Sequence, residues 1–297
     1  MQLILSAQLP FRLKTVINSH GWVQLAPFIH HEAQASFTYL LELAQGQVVE
    51  LRVASSDDGV VITLVDGLDN TAVAEISQKA TWMLGLGQDF ADFYAAAQHE
   101  PKLAQVKPNA QGRLLRSATI FEDVVKTILT TNTTWSGTIR MVKGLVDNFG
   151  APLPDDPTRQ AFPTPARLAE ADVEMLRKAV KLGYRAPYVL ELAQRVAAGE
   201  LDLEVWKTAV LTTAELRHQL LALKGVGPYA AASLLMLLGH YDFVPVDSWA
   251  FKLVSHEWHN GEPIDKTQVE AAFAPWGRWK GLAYWFWDWT YLHETPA

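Results

Sequence analysis

Two short stretches close together in the chain contain residues that could do chemistry. Gly225-Val226-Gly227 can form a tight hairpin, because two of its residues tolerate positive φ, and Pro228 fits the first turn of a following helix. Unpaired backbone N–H groups at such a hairpin, together with the positive end of the helix dipole, form a phosphate-binding site that needs no side chain. Further on, Asp247 precedes a helical run over residues 248–254. Its carboxylate can cap that helix or face a reacting group.

Helices on both sides must hold the hairpin, and the sequence predicts both. Thr212 and Glu215 have the spacing of a capping box, so a helix should run from there to about Ala222. The residues from 229 to 238 are nearly all apolar, which predicts a buried second helix that ends at Gly239. The hairpin should therefore be a fixed turn between two packed helices.

The first part of the chain has the pattern of an antiparallel sheet. Residues 48–65 read as two strands around a Ser-Ser-Asp-Asp-Gly hairpin signal, and residues 37–43 form another strand-like run. From about Asn70 the pattern becomes helical. A sheet followed by helices is typical of the α+β class. We predict an N-terminal α+β domain over residues 1–110 and an all-α domain over residues 111–297.

A polar junction interrupts the helical part of the chain. Thr119 and Glu122 have the spacing of a second capping box, which opens a helix that should end in the Thr-rich run at residues 130–134. Asn132 in the middle of this run is either part of a solvated turn or a functional residue, and composition alone favours the turn. Residues 151–165 contain five prolines, which predicts a loop between two groups of helices.

The hairpin, the apolar helix and the aspartate together resemble the helix-hairpin-helix-GPD superfamily of DNA base-excision glycosylases. Its signature is L-x-G-[IV]-G, then an apolar helix, then a Pro/Gly-rich loop with an aspartate; the matching residues are Leu223, Gly225, Val226, Gly227, Pro245 and Asp247. A glycine hairpin alone is weak support, but the three features in this order are specific. The resemblance is strong over residues 117–290 and implies a helical glycosylase core that follows an N-terminal sheet domain.

The resemblance also implies a chemistry for Asp247. Cleavage of an N-glycosidic bond gives the sugar oxocarbenium character, and a nearby anion stabilises that charge and orients or deprotonates water. Members with lyase activity carry a lysine nucleophile two residues after the last hairpin glycine, where this chain has Tyr229. A neutral phenol cannot form a Schiff base with the sugar, so the expected reaction is hydrolysis alone.

The expected substrate is an alkylated purine. Such a base carries a positive charge, which is stabilised by stacking on the faces of aromatic side chains. The resemblance places Tyr229, Tyr284, Asp288 and Ser233 at the base pocket. Tyr284 and Asp288 are four residues apart and should share one face of a final helix that runs to about Trp289. An 8-oxoguanine site must instead read a neutral base, and its branch has a lysine and a glutamine where this chain has Tyr229 and Tyr284.

Other residues match positions that contact DNA in the 8-oxoguanine branch. Asn132 matches the asparagine that fills the gap left by the extruded base, whereas the basic residue five positions later in that branch is Gly137 here. Tyr184 and Arg185 lie in a Leu-Gly-Tyr-Arg-Ala stretch that is nearly identical to one placed against the DNA at the lesion. The alternative for these two residues is ordinary packing after a helix that ends at Gly183.

Composition limits the cofactors and partners. The chain has no cysteine, which excludes a cysteine-held iron–sulfur cluster, and no cofactor should be required. The resemblance implies that the carbonyl groups of Leu221, Leu223 and Val226 can hold a monovalent cation together with DNA. A net charge of −7 looks wrong for a DNA-binding protein. The excess acid lies in residues 1–100, which hold 4 basic and 11 acidic residues, and the remainder is balanced.

We therefore expect a cytoplasmic, monomeric protein that binds double-stranded DNA containing damaged bases. No apolar run is long enough to span a membrane, and the first five residues lack the basic region of a signal peptide. The predicted function is a monofunctional glycosylase for alkylated purines in base excision repair. The alternatives are an 8-oxoguanine glycosylase without lyase activity and a non-catalytic helix-hairpin-helix DNA-binding protein.

Overall fold

The computed structural model describes residues 1–288 of the chain. The chain divides into two compact units, each built from two separate segments. The sheet unit contains Met1–Gln88 and Arg113–Thr208, and the hairpin unit contains Asp89–Gly112 and Ala209–Ala297. The domain boundary at residue 110 stays a prediction. The two units are defined by which residues contact one another, and this does not test a boundary along the sequence. Within the described part of the chain, no helix is long and apolar enough to cross a bilayer.

Five antiparallel strands form the main sheet, in the order β1-β5-β4-β3-β2. From β1 to β5 they span Gln2–Ser6, Phe28–His31, Ser36–Glu42, Val48–Ser56 and Gly59–Thr63. Ser56 pairs with Gly59 across the turn, which confirms the predicted hairpin. Val49, Leu51 and Val53 of β4 are buried, as expected for alternate residues on one face of a strand. The α+β class is thereby confirmed.

Helices form most of the rest of both units. In chain order, α1 to α13 span Leu13–Ile17, Asn70–Leu84, Ala91–Ala97, Ile120–Thr130, Trp135–Phe149, Pro165–Ala169, Val173–Lys178, Ala186–Ala197, Thr213–Leu221, Pro228–Leu237, Ser248–His259, Lys266–Phe273 and Lys280–Trp285. Helices α3 and α9 to α13 belong to the hairpin unit, and the others belong to the sheet unit.

The helix α4 differs from the prediction at its first turn. Thr119 accepts a hydrogen bond from the Glu122 N–H at 3.2 Å, as a cap should. The Glu122 carboxylate, however, lies in the core, where it accepts a hydrogen bond from Tyr39 and pairs with Lys126. The predicted capping box is therefore only half formed. Every residue of α4 from Ile120 to Leu129 is buried, which makes this helix the centre of the sheet unit.

The proline-rich segment at residues 151–165 was predicted as a loop, and this was wrong in part. It contains a second, two-stranded sheet, in which β6 (Pro152–Leu153) pairs with β7 (Asp156–Gln160). Ala151 and Ala161 at its base pack with Leu40 and Val48 of the main sheet. Packing against a preformed sheet overrides the local preference of the prolines, so the second part of the chain is not purely α-helical.

The helices around the glycine hairpin form as predicted. Thr212 accepts from the Glu215 N–H at 3.2 Å, while the Glu215 carboxylate accepts from the Thr212 N–H at 2.8 Å, which confirms the capping box before α9. The helix α10 is buried at Ala230–Ala232 and again at residues 234–237. The hairpin is therefore anchored at both ends.

The final aromatic segment is not one helix. A 3₁₀ turn spans Ala274–Trp279, and α13 ends at Trp285. Asp288 lies beyond this end, and its N–H donates to the Lys102 carbonyl at 3.0 Å. The predicted helical face shared by Tyr284 and Asp288 is therefore wrong, because the backbone leaves the helix to pair with a segment far away in sequence. Trp289, included in the predicted helix, lies outside the described residues.

Candidate active site

The hairpin connects α9 and α10 through a single left-handed glycine. Gly225 has a φ of +86°, whereas Gly227 has a φ of −90°, so only one of the two predicted glycines uses positive φ. The Val226 N–H donates to the Leu223 carbonyl at 3.1 Å and closes the turn. A Cβ added to Gly227 would meet no atom within 4 Å. Neither packing nor backbone conformation within this unit explains the glycine there, which is consistent with close approach of a ligand.

The first turn of α10 supplies the expected phosphate-binding groups. Gly227 is the N-cap and Pro228 begins the helix. The N–H groups of a first helical turn have no carbonyl partner within the helix, and the dipole adds positive potential there. The arrangement can hold one phosphate without any basic side chain. The cation site at the carbonyls of Leu221, Leu223 and Val226 stays a prediction.

Asp247 is the N-cap of α11 and is held by two donors. Its Oδ1 accepts the Ala250 N–H at 2.8 Å and the Tyr284 hydroxyl at 2.9 Å. No hydrogen bond to Oδ2 is found within residues 1–288. The capping role and the catalytic role are thus compatible, because one oxygen fixes the carboxylate and the other remains for a reacting group. Asp247 stays the predicted catalytic residue.

Tyr284 supports Asp247 from the core of the hairpin unit. It is 3% exposed, and its ring forms a T-shaped contact with the ring of Phe273, with centroids 5.6 Å apart. Burial, followed by the charge of Asp247, raises the pKa of Tyr284 well above its usual value. The hydroxyl therefore stays protonated and donates its hydrogen bond permanently. Tyr284 was predicted at the base pocket; the sequence did not reveal the bond to Asp247, since 37 residues separate the two.

Tyr229 stands in the first turn of α10, where lyase-active relatives have lysine. It is 39% exposed. Burial, followed by the charge of Asp247, raises the pKa of Tyr229, so its phenol is neutral at physiological pH. Ser233, one turn later, donates its hydroxyl to the Tyr229 carbonyl at 3.2 Å. The structure thus places Tyr229 within the field of Asp247, and the base-pocket roles of Tyr229, Ser233 and Asp288 stay predictions.

In the sheet unit, the junction between α4 and α5 brings the three predicted DNA contacts together. Asn132 is exposed and has a left-handed φ of +47°. Its Nδ2 donates to the Tyr184 hydroxyl at 3.4 Å, and the Arg185 guanidinium lies 4.4 Å from the centre of the Tyr184 ring. Residues 52 positions apart in sequence therefore lie together, with Asn132 and Tyr184 exposed and Arg185 buried beside them.

Gly137 lies in the first turn of α5, close to this surface. Its N–H donates to the Thr134 hydroxyl at 3.2 Å. A Cβ at Gly137 would lie 2.4 Å from the Thr133 hydroxyl oxygen. A larger side chain at this position would therefore require the exposed Thr133 side chain to move.

Charged side chains of α4 form a buried network that no sequence motif indicated. Lys126 is fully buried, and its Nζ lies 2.6 Å from Glu122 Oε1, while the Tyr39 hydroxyl donates to Glu122 Oε2 at 2.5 Å. Asp123 accepts from Trp22 Nε1 at 2.7 Å, and burial raises the pKa of Asp123 to about 6. The only local signal of this network in the sequence was the pair Glu122 and Lys126, four residues apart in a mostly apolar run. The network fixes the helix that ends at the Asn132 junction.

The chain matches one family and several known proteins. A family model described as "HhH-GPD superfamily base excision DNA repair protein" matches residues 125–278, more than half of the chain. The N-glycosylase/DNA lyase of Saccharomyces cerevisiae is 22% identical over 214 residues, which cover 61% of this chain. The match spans 57% of the length of the yeast protein.

Three solved structures are similar over most of the chain. MBOgg1, in complex with a low-affinity DNA ligand, is 26% identical with a TM-score of 0.72 and covers 93% of this chain and 90% of its own. The 3-methyladenine DNA-glycosylase from Archaeoglobus fulgidus is 21% identical with a TM-score of 0.74, covering 96% and 97%. The 8-oxoguanine glycosylase/lyase of Clostridium acetobutylicum, in complex with double-stranded DNA, is 23% identical with a TM-score of 0.70, covering 96% and 92%.

The family match includes the hairpin, the buried helix α10 and Asp247, and these are the features whose geometry is described above. With this hairpin, this aspartate and this fold, the chain belongs to the HhH-GPD superfamily of base excision DNA repair proteins.

Proposed function

We propose that the protein is a DNA glycosylase that extrudes a damaged purine from duplex DNA and hydrolyses its N-glycosidic bond without cutting the strand. The observation that carries the proposal is the geometry of Asp247, whose Oδ1 is held by the Ala250 N–H and the Tyr284 hydroxyl. A fixed carboxylate with a second oxygen available can stabilise the cationic sugar and orient the attacking water. A carboxylate that is already in position stabilises the transition state most, because no side chain has to move during the reaction.

The hairpin gives this carboxylate a DNA strand to act on. The first turn of α10 offers N–H groups and a positive dipole end to a phosphate. Gly227 presents open space, so a phosphate could approach the backbone closely. These contacts are independent of sequence, as a protein that searches for damage in any context requires.

Hydrolysis without strand cleavage follows from Tyr229. A lyase needs an amine that attacks the sugar carbon and forms a Schiff base, and a neutral phenol cannot do this. The reaction product should be an abasic site with an intact strand. Borohydride should trap no covalent complex, and a stable trapped complex on damaged DNA would show that a lysine elsewhere acts as nucleophile.

The proposed substrate is an alkylated purine. A 3- or 7-alkylated purine is cationic and already a good leaving group, so the site needs to hold it and shield the sugar cation. The partly exposed ring of Tyr229 can contribute about 0.5–2 kcal/mol through a cation–π contact. The similar solved structures include both 3-methyladenine and 8-oxoguanine glycosylases, so the choice rests on the residues of the proposed base pocket.

A second candidate substrate is 8-oxoguanine. The cluster of Asn132, Tyr184 and Arg185 favours it, because these residues resemble the 8-oxoguanine branch and lie together. Asn132 and Tyr184 belong to the surface that would meet the DNA, however, whereas base choice depends on the pocket. The lysine and glutamine of that branch are replaced by Tyr229 and Tyr284.

One experiment tests both the activity and the choice of substrate. The purified protein is incubated with duplexes containing 3-methyladenine, 7-methylguanine or 8-oxoguanine, and the released bases are identified by mass spectrometry. We expect release of the methylated bases, with Asp247→Asn as the inactive control. Faster release of 8-oxoguanine would reverse the substrate assignment, and no release from any duplex would favour the non-catalytic DNA-binding alternative.

A further inference from the structure

The helix α13 contacts the loop before Asp247 at two points. The Gly281 N–H donates to the Tyr241 carbonyl at 2.7 Å, which gives a partner to an amide of the first helical turn. One turn later on the same helix, the Tyr284 hydroxyl donates to Asp247 Oδ1 at 2.9 Å. The separation between α13 and this loop therefore decides whether the hydroxyl reaches the carboxylate.

The close approach of α13 to the loop requires a glycine at position 281. A Cβ added to Gly281 would lie 2.6 Å from the Phe243 carbonyl oxygen and 2.8 Å from the Tyr241 carbonyl oxygen. Both atoms belong to the backbone, which cannot rotate away as the end of a long side chain can. Gly281 does not have a positive φ, so its conformation alone would allow other residues. The lack of a side chain is what the contact uses.

The helix α9 holds the same loop through side chains. Thr213 Oγ1 donates to Asp242 Oδ1 at 2.5 Å, and His240 Nδ1 lies 2.9 Å from the same hydroxyl oxygen. A hydroxyl has one proton, so the imidazole donates to Thr213 while Thr213 donates to the carboxylate. One turn further along α9, the Arg217 guanidinium lies 5.0 Å from the centre of the Phe243 ring. The loop cannot move away from α13 without loss of these contacts.

The connection from this loop to Asp247 is short and constrained. Three residues separate Phe243 from Asp247. Val244 among them is 4% exposed, and the ring of Pro245 fixes its own φ. A shift of the loop, or of α13 against it, therefore changes the geometry at the carboxylate.

We propose that Gly281 and Thr213 are positioning residues for Asp247. Gly281 lets α13 come close enough for Tyr284 to bond to the carboxylate, and Thr213 holds the loop in place. Both residues act through Asp247 and need no contact with DNA. The inference rests on the proposed function, because it deals with the role of Asp247 in base release.

The first test replaces Gly281 with alanine. The added Cβ should separate α13 from the loop, so that the Tyr284 hydroxyl loses its bond to Asp247. In single-turnover assays on a 7-methylguanine duplex, Gly281→Ala should slow release by about tenfold to a hundredfold, as for loss of a hydrogen bond to a charged group. Affinity for the duplex should stay within about threefold, since phosphate contacts supply most of it.

The control for a general loss of stability is Val106→Ala. This variant removes two methyl groups from a fully buried residue of the same unit, so it should lower the melting temperature and keep the wild-type rate. A wild-type rate in folded Gly281→Ala would overturn the proposal. An equal loss of rate in Val106→Ala would also overturn it, because general destabilisation would then explain both.

A double variant shows whether Gly281 acts through Tyr284. On the background of Tyr284→Phe the bond to Asp247 is already gone, so Gly281→Ala should slow release by no more than about a further twofold. Losses that multiply would mean that Gly281 affects the rate by another route, against the proposal.

Thr213 provides a test that adds no atom to the packed loop. Thr213→Val removes the hydroxyl and both of its bonds, so release should slow by about threefold to tenfold while duplex affinity is unchanged. Thr213→Ser keeps the hydroxyl and should keep the wild-type rate. If Gly281→Ala does not fold, this pair still decides, because equal rates in the valine and serine variants would contradict the proposal.

Binding to a mimic of the transition state separates failure of this inference from failure of the proposed function. A duplex with a pyrrolidine in place of the sugar at the lesion carries a positive charge where the sugar cation would form, whereas a tetrahydrofuran carries none. The wild type should bind the pyrrolidine duplex at least about tenfold more tightly, because Asp247 faces that charge. Gly281→Ala and Thr213→Val should reduce this preference and keep the affinity for the tetrahydrofuran duplex.

The two failures give different results in this binding assay. A preference that both variants retain in full would overturn the inference and leave the role of Asp247 intact. No preference in the wild type would show that Asp247 does not face the sugar cation, which would refute the proposed function and the inference that rests on it.

Discussion

The two candidate regions hold their central residue in opposite ways. In the sheet unit, Arg185 binds the backbone around Asn132 and leaves the side chain exposed. In the hairpin unit, the donors bind the side chain of Asp247 itself, one from the backbone of Ala250 and one from Tyr284. A residue that enters DNA needs a fixed backbone and a side chain that can move. A residue that stabilises a transition state needs a charge that is held in place. The roles predicted for the two residues divide in the same way, with entry into the DNA proposed for Asn132 in one unit and stabilisation of the sugar cation proposed for Asp247 in the other.

The strongest test of this comparison removes the fixed charge. Asp247→Asn should lower the rate of base release by about a thousandfold or more, because the sugar cation loses its counter-charge. Folding should change little, since asparagine is also a good N-cap. Single-turnover release measures the first expectation, and duplex binding should stay within about threefold in a fluorescence-anisotropy assay, since phosphate contacts supply most of that affinity.

The matched control for this variant is Asp265→Asn. Asp265 is the N-cap of α12 in the same unit and accepts the Gln268 N–H at 3.0 Å. Its variant should keep full activity. If Asp247→Asn also turns over normally, the proposed division of roles between the two units fails.

The next largest effect concerns stability in the sheet unit. Burial raises the pKa of Asp123 to about 6, above the ordinary value of 3.8 that the group has in the unfolded chain. The folded state therefore binds this proton more tightly, so the carboxyl group contributes more stability as the pH falls from about 6 to 4. Relative to Asp123→Asn, the wild type should gain about 2.5 kcal/mol of unfolding free energy between pH 7 and pH 4, since each pKa unit is worth about 1.4 kcal/mol and the unfolded chain also begins to bind the proton near pH 4.

Urea unfolding of both proteins at the two pH values measures this difference. Burial also lowers the pKa of His20 to about 4. This histidine therefore lowers the unfolding free energy of the protein as the pH falls through nearly the same range. The comparison with Asp123→Asn cancels the histidine, since both proteins carry it. A difference that does not depend on pH would show that Asp123 is ionised in the fold at neutral pH without penalty.

A smaller effect on rate is expected at Tyr284. Tyr284→Phe removes the buried donor to Asp247 Oδ1 while keeping the ring packed. A hydrogen bond to a charged group is worth about 1.5–3 kcal/mol, so release should slow by about tenfold to a hundredfold. Tyr94→Phe, another buried tyrosine of the hairpin unit, is the control and should keep the wild-type rate. An unchanged rate in Tyr284→Phe would mean that the backbone cap alone fixes Asp247.

The smallest effect is expected at the hairpin. Gly227→Ala adds a Cβ that meets no protein atom within 4 Å, so the melting temperature should not fall. Duplex binding should weaken by about threefold to tenfold, because the methyl group occupies the path of the phosphate. Gly87→Ala, which also adds a Cβ in open space, should bind DNA normally. Normal binding by Gly227→Ala would place the phosphate elsewhere.

Local signals predicted most of the elements but not their side-chain contacts. The Ser56–Gly59 turn, the capping box at Thr212 and the buried helix α10 depend on neighbouring residues, so a short window of sequence contains the information. The end of α13 at Trp285 does not depend on neighbouring residues, because the backbone just after it bonds to residue 102. A distant partner for the backbone is not visible in a short window of sequence.

The sequence by itself determined the hairpin, the aspartate at a helix start and the tyrosine in place of a lysine. Each of these features is a residue type at a fixed spacing, so its chemistry can be inferred without knowing the fold. Tertiary structure alone decided that Tyr284 donates to Asp247 and that Arg185 binds the backbone at Asn132. Both contacts join residues 37 or more positions apart. Many partners are possible at such separations, and only the packed core selects one.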